Sequence, residues 1–233
     1  MLTLVNCLVN TKKESDNILV FLHMQKCGGT TLQGIIETQY EYDERLRRIE
    51  EGLRDNVVVF KGHFAYGEEE KYLKPDIKRT YITMLREPVD RIMSSFYYVR
   101  RTEEMVLHKE FNKITFQEFL QNDSFYYKFR HTNMMARQLS GGDPDDLIGA
   151  LRNLEKFDYV GIVEEFNKSL KLYAKGLGWN VKKYSNENVT EDRPKVTDLP
   201  RSTLELILEK NRNDTVLYKK AVELFWNKYN SLS

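Results

Sequence analysis

Three groups of residues could do chemistry on a phosphorylated ligand. Lys26, Cys27, Gly28, Gly29, Thr30 and Thr31 join an apolar run, Ile18 to Met24, to a segment with apolar residues at 32, 35 and 36. A strand that turns through two glycines into a helix offers an anion free backbone N–H groups and the positive end of a helix dipole. Lys26 adds a positive charge and the threonines add hydroxyls, so the run reads as a phosphate cradle. Arg86 follows a later apolar run, Thr80 to Leu85, and Ser94 lies two turns into the helix that Pro88 opens. A guanidinium fork and a hydroxyl at that spacing suit a second phosphate. The alternative geometry pairs Arg86 with Asp90 and leaves Ser94 as a small packing residue. The third group is His63, after Val57 to Phe60 and Lys61-Gly62. Imidazole titrates near neutrality and can take a proton from an attacking hydroxyl. His23, His108 and His131 lack comparable neighbours.

These residues need elements to bring them together. Apolar runs at 18–24, 57–60, 80–85 and 159–163 predict strands, and the segments between them carry helical periodicity. Alternating strands and helices predict an α/β, P-loop-like three-layer fold, a central parallel sheet covered by helices on both faces. Ligands gather at the carboxyl ends of such strands, where the three groups fall. Thr115 to Leu139 reads as helical and aromatic, with Phe116, Phe119, Phe125, Tyr126, Tyr127 and Phe129 available for packing. Gly141-Gly142 ends it, and Asp143-Pro144 is the expected start of the next helix. Glu41 to Arg54 reads as helix or loop. Lys183 to Pro200 reads as a long polar loop that could close over a ligand, before two terminal helices.

Composition bounds the rest. The chain has 233 residues, 41% of them hydrophobic, enough for one core, and residues 1–233 read as a single domain. Its 36 basic and 35 acidic residues nearly cancel, so no global field favours nucleic acid. Cys7 and Cys27 are the two cysteines, which argues against a disulfide framework and for a reducing compartment. Met1 to Asn10 lacks the features of a signal or anchor, and no apolar run approaches the roughly 20 residues needed to cross a bilayer. A cytoplasmic protein without a membrane partner is expected; oligomeric state is not legible.

The cradle departs from G-x-x-x-x-G-K-[ST], since Lys26 precedes both glycines. Its order resembles the 5′-phosphosulfate loop of sulfotransferases that use 3′-phosphoadenosine 5′-phosphosulfate (PAPS). Thr83 to Phe96 resembles their 3′-phosphate site, and Gly62 to Gly67 resembles the histidine-bearing strand end of the glycan sulfotransferases, heparan sulfate 2-O and 6-O types in particular. Later segments, 130–141, 159–166 and 186–194, are also similar to that family, which extends the resemblance over most of the chain. It implies sulfuryl transfer from PAPS to a hydroxyl of a saccharide, with no metal. His63 becomes the base, and Lys26 the group that offsets charge on the leaving oxygen. Lys26, Cys27, Gly28, Gly29, Thr30, Thr31, Arg86, Ser94 and Arg193 bind the donor, and His63, Asn133 and Arg137 lie near the acceptor. Cys27 stands where the family more often has threonine, and a thiol beside a helix N-terminus is expected to acidify. The lumenal relatives carry a membrane anchor that this chain lacks, so a soluble, bacterial type of enzyme is expected. A P-loop kinase or hydrolase, and a non-catalytic nucleotide- or glycan-binding protein of the same fold, are the alternatives.

Overall fold

A computed structural model describes residues 5–9, 17–40, 57–181 and 193–232, with the backbone alone for 5–9 and 57–58. Residues 183–192 of the expected lid, Lys183 to Pro200, including 186–192 of the family-like stretch, and the stretch 41–54 lie outside the described residues. The strands are β1 (Val5–Val9), β2 (Asn17–Leu22), β3 (Val57–Gly62), β4 (Lys78–Leu85) and β5 (Tyr159–Ile162). The helices are α1 (Gly29–Gln39), α2 (Pro88–Arg101), α3 (His108–Phe111), α4 (Phe116–Gln121), α5 (Phe125–His131), α6 (Met134–Leu139), α7 (Leu147–Leu154), α8 (Phe166–Leu177), α9 (Arg201–Lys210) and α10 (Arg212–Leu232).

The sheet runs β1-β3-β2-β4-β5. β2 to β5 are mutually parallel, as the sequence predicts. β1 is an addition to that expectation: it pairs antiparallel with β3 at the sheet's edge. Its five residues lie in a stretch too short and too weakly patterned to identify as a strand alone, and pairing supplies what the pattern lacks.

β2 is apolar on both faces because both are covered. Ile18, Val20 and Leu22 pack with Phe60 under α6, α7 and α10, through Met135, Leu154, Leu217 and Phe225. Leu19 and Phe21 pack with Val59, Ile82 and Met84 under α1 and α8, through Leu32, Ile36, Leu170 and Tyr173. That alternation makes the three layers. A third cluster, centred on Phe96, Phe111 and Phe119, fastens α2 to α3, α4, α5 and α9. Among the described residues, no helix is long and apolar enough to cross a membrane.

Two local expectations change. The helical 115–139 stretch comprises α4, α5 and α6, and Phe125 and Tyr126 are 62% and 67% exposed rather than packed. α7 begins at Leu147, because the Asp146 carboxylate accepts the Gly149 N–H at 2.8 Å and caps it; Asp143 instead accepts the Asp145 N–H in the preceding turn. A short polar side chain caps wherever the orphan N–H groups of a first turn can reach it.

α10 is locked to the α5–α6 junction by buried polar groups. The fully buried Asp214 carboxylate accepts the Ala136 and Met135 N–H groups at 2.8 and 3.2 Å, and Arg91 Nη2 lies 3.9 Å away. Burial raises the Asp214 carboxyl while Arg91 and the amides pull it down. Removing one partner of such a pair strands a buried charge. Asp214→Ala should therefore cost about 3–5 kcal/mol of stability, read as a lower urea midpoint, whereas the exposed Glu205→Ala should change it by no more than about 0.5 kcal/mol.

Candidate active site

The parallel register sets the carboxyl ends of the strands side by side. Leu22 is opposite Gly62 on one side and Thr83 on the other. The His23 N–H, one residue past β2, donates to the carbonyl of Gly62, the last residue of β3, at 2.9 Å. The chain then turns through Lys26, at φ 63°, and Gly28, at φ 68°, into α1. Gly28 meets a conformational demand, whereas Lys26 adopts the left-handed region at a cost of about 1–2 kcal/mol. Its backbone is held there: Arg86 Nη1 donates to the Lys26 carbonyl at 3.0 Å.

Gly29 is a glycine for another reason. An added Cβ would lie 2.0 Å from His23 Cδ2, so the His23 ring occupies the space that a side chain would need. The same ring stacks on Phe21 at 5.3 Å and lies 4.1 Å, centroid to centroid, from the ring of His63. His23 thus wedges the phosphate loop against the strand end that carries His63.

His63 Nδ1 is 2.6 Å from the His23 carbonyl oxygen. A carbonyl only accepts, so Nδ1 carries the hydrogen and Nε2 keeps its lone pair. Burial lowers the pKa of His63, with the His23 hydrogen bond opposing and the Lys26 charge adding to the effect. The imidazole is neutral at pH 7, with a basic Nε2. His23 is lowered further, by burial and then by His63, Lys61 and Lys26.

On the other side of the loop, α2 presents one stripe of residues, Asp90, Ser94, Tyr98 and Arg101, at helical spacing. Arg86 donates from Nε to Asp90 at 2.7 Å and from Nη2 at 2.5 Å. Arg193 Nη2 reaches the other oxygen of Asp90 at 2.5 Å. The Arg86–Asp90 pairing foreseen as an alternative is therefore present. It engages, with the Lys26 carbonyl, three of the five guanidinium N–H groups among the described residues. Ser94, 6% exposed, stands between Asp90 and Tyr98 on the stripe. The Lys26 ammonium rests 3.5 Å above the Tyr98 ring centre, and Arg101 lies 5.6 Å from the same centre. Burial first, then the charges of Arg101, Arg86 and Arg130, lower the Lys26 pKa to about 7.

The cradle's remaining members divide. Thr30 is exposed on the first turn of α1, and Thr31 is buried. Cys27 departs from expectation: it is fully buried, and desolvation pushes its thiol up to about 12. The helix end does not acidify a group removed from water. Its N–H donates to the Met24 carbonyl at 3.3 Å, so Cys27 shapes the turn. Asn133 caps α6 at φ 43°; its N–H donates to Asn211 Oδ1 at 2.9 Å, and its own Oδ1 accepts the Asp214 N–H at 3.3 Å. Arg137 stacks on Phe129 at 5.1 Å. The structure thus gathers Lys26, the glycines, His63, Arg86, Ser94 and Arg193, and ties Asn133 to the α10 junction.

Tyr98, Arg101 and Arg130 join the site without having been singled out for it. The first two continue the stripe begun by Asp90 and Ser94, a signal available in the spacing. Arg130 opens the family-like 130–141 segment but drew no role there: α5 brings it in, held where its carbonyl accepts from Arg91 Nη1 at 3.2 Å.

A family model described as "Sulfotransferase family" matches residues 10–221. The chain belongs to the sulfotransferase family. An uncharacterized protein of Archaeoglobus fulgidus is 24% identical, over 89% of this chain and 97% of its own length. Members of that family move a sulfuryl group, and the strand-end cluster is the candidate place for it in this chain. Among its described residues, no His, Cys, Asp or Glu group of three or more could hold a metal ion.

Two glycines of α1 separate the loop's packing from helix propensity. Gly29→Ala should cost about 1–3 kcal/mol, since His23 or the loop must move. Gly34→Ala, where an added Cβ meets nothing within 4 Å, should stabilise by about 0.5–1 kcal/mol; thermal unfolding of the pair gives both signs. In the folded sulfotransferase Cys27 should resist iodoacetamide at pH 8 and react only after denaturation, which mass spectrometry reads directly.

Proposed function

We propose that this sulfotransferase takes its sulfuryl group from PAPS and delivers it to a hydroxyl of a saccharide. The observation that carries the donor reading is the charge balance of the strand-end cluster. Arg86, Arg101 and Arg130 each act on Lys26 there, and Asp90 is already shared by two arginines. A half-buried group of cations with so little negative charge is matched to a ligand bearing phosphates.

The chain's residues divide the work along the sheet edge. The backbone N–H groups at Gly28 and Gly29, with Thr30 and Thr31, receive the 5′-phosphate at the start of α1. Arg86 and Ser94 receive the 3′-phosphate, and Asp90 aims Arg86 and Arg193 toward it. PAPS supplies an activated sulfuryl group that can pass to an oxygen nucleophile. His63 Nε2 takes the proton of the attacking hydroxyl, while Nδ1–H on the His23 carbonyl fixes the ring and stabilises its charged form. The Lys26 ammonium balances negative charge growing on the leaving oxygen. Arg137 lies on α6, next to the strand end of His63, since the Tyr66 N–H donates to the Gln138 carbonyl at 2.7 Å. That supports a role for Arg137 on the acceptor side, with Asn133 setting the start of the helix that bears it.

Calorimetric titration with adenosine 3′,5′-bisphosphate, beside ATP with magnesium, tests this reading. The bisphosphate should bind and ATP should not compete. Arg86→Ala should weaken binding by about ten- to a hundredfold, the loss of a charged hydrogen-bond pair. His63→Ala should bind normally yet lose about 10²- to 10⁴-fold in transfer of labelled sulfate to a saccharide panel. Preference for ATP, or no binding by folded protein, would overturn the donor assignment.

A further inference from the structure

We propose that Tyr98 is a positioning residue for the phosphate-loop lysine: its ring face carries the Lys26 ammonium, keeping it charged and aimed among arginines before any anion arrives. The ammonium is 3.5 Å from the ring centre, well inside the roughly 6 Å reach of a cation–π contact. Tyr98 is partly buried, which strengthens the attraction. Its place on α2 is one turn beyond Ser94 and one before Arg101, so the helix that offers Ser94 also supports the lysine from the loop.

The need for such a support follows from what surrounds Lys26. Arg86 faces it from the end of β4, Arg101 from α2 and Arg130 from α5, all repelling its charge. His23 and His63, past the ends of β2 and β3, are close enough to feel it. Within the loop the buried Cys27 thiol favours the charge but stays protonated up to about 12. An aromatic face is thus a neutral group that attracts a cation without adding an anion that would compete with a phosphate. A carboxylate in its place would hold the lysine more firmly and repel the ligand.

The inference rests on the donor reading for its use but not for its test. Lys26 holds its charge below about 7 and loses it as pH rises through that value. Burial lowers both histidines and raises the thiol to about 12, each away from that value. Tyr98→Leu keeps the bulk and dryness of the site and removes the ring's charge distribution; Tyr98→Phe keeps the ring and removes the hydroxyl.

Lys26 is titrated by NMR of its ε-carbon, assigned with Lys26→Met, and adenosine 3′,5′-bisphosphate binding is measured by calorimetry between pH 6 and 9. Tyr98→Leu should titrate about one pH unit lower than wild type. Its bisphosphate affinity should be about tenfold weaker at pH 8 and within about threefold at pH 6. Tyr98→Phe should match wild type in both, and Lys26→Met should lose the pH-dependent limb. A wild-type titration in Tyr98→Leu, an equal loss at every pH, or a Phe variant that falls with Leu would overturn the proposal. If wild type binds no bisphosphate, the donor reading falls, and the lysine titration alone decides for or against the hold of Tyr98.

Discussion

The Arg86 guanidinium is the tie on which the site depends. It leaves the end of β4 and bonds at once to the Lys26 carbonyl in the phosphate loop and to Asp90 on α2. Through Asp90 it also fixes Arg193, which comes from the far end of the chain. One planar, permanently charged group thereby joins three segments that sequence separates widely. A lysine could supply the charge but not the fork, because its donors diverge from one point.

Collecting positive charge in a half-buried place has a cost, and its trace is visible in Lys26. Desolvation and neighbouring arginines lower its pKa to about 7. The fold tolerates this because the load is shared: Asp90 serves two arginines and the Tyr98 ring serves Lys26. The apolar clusters on either side of the sheet keep the elements in place whatever the charges favour. Sites with such unbalanced charge are stabilised by the ligand that balances them, which is how binding energy becomes specificity.

His23 links the two halves of the strand-end cluster. Its carbonyl sets the tautomer of His63, and its ring fills the space above Gly29. The His63 ring and the Lys26–Gly29 loop are thus packed on one residue, so a shift in either is felt by the other. A half-buried ion pair reinforces that frame: the buried Lys61, beside the His63 strand end, meets Glu37 of α1 at 2.6 Å.

Much of this was legible in the sequence. The apolar runs determined the four parallel strands, because a strand covered on both faces has to be apolar throughout. The loop glycines, His63, Arg86 and Ser94 follow those runs directly, so strand-end logic placed them together. Sequence alone could not place β1, whose five residues become a strand only by pairing with β3, nor separate packed from exposed rings in 115–139. It also misjudged Cys27, since proximity to a helix end is local whereas exclusion of water is not. Tertiary structure alone decided that Arg130 reaches the cluster, that Asp90 sits between two arginines, and that Lys26 lies on Tyr98. Side-chain charge acts through space over several ångströms and through whatever dielectric the fold creates, and neither is written in the order of residues.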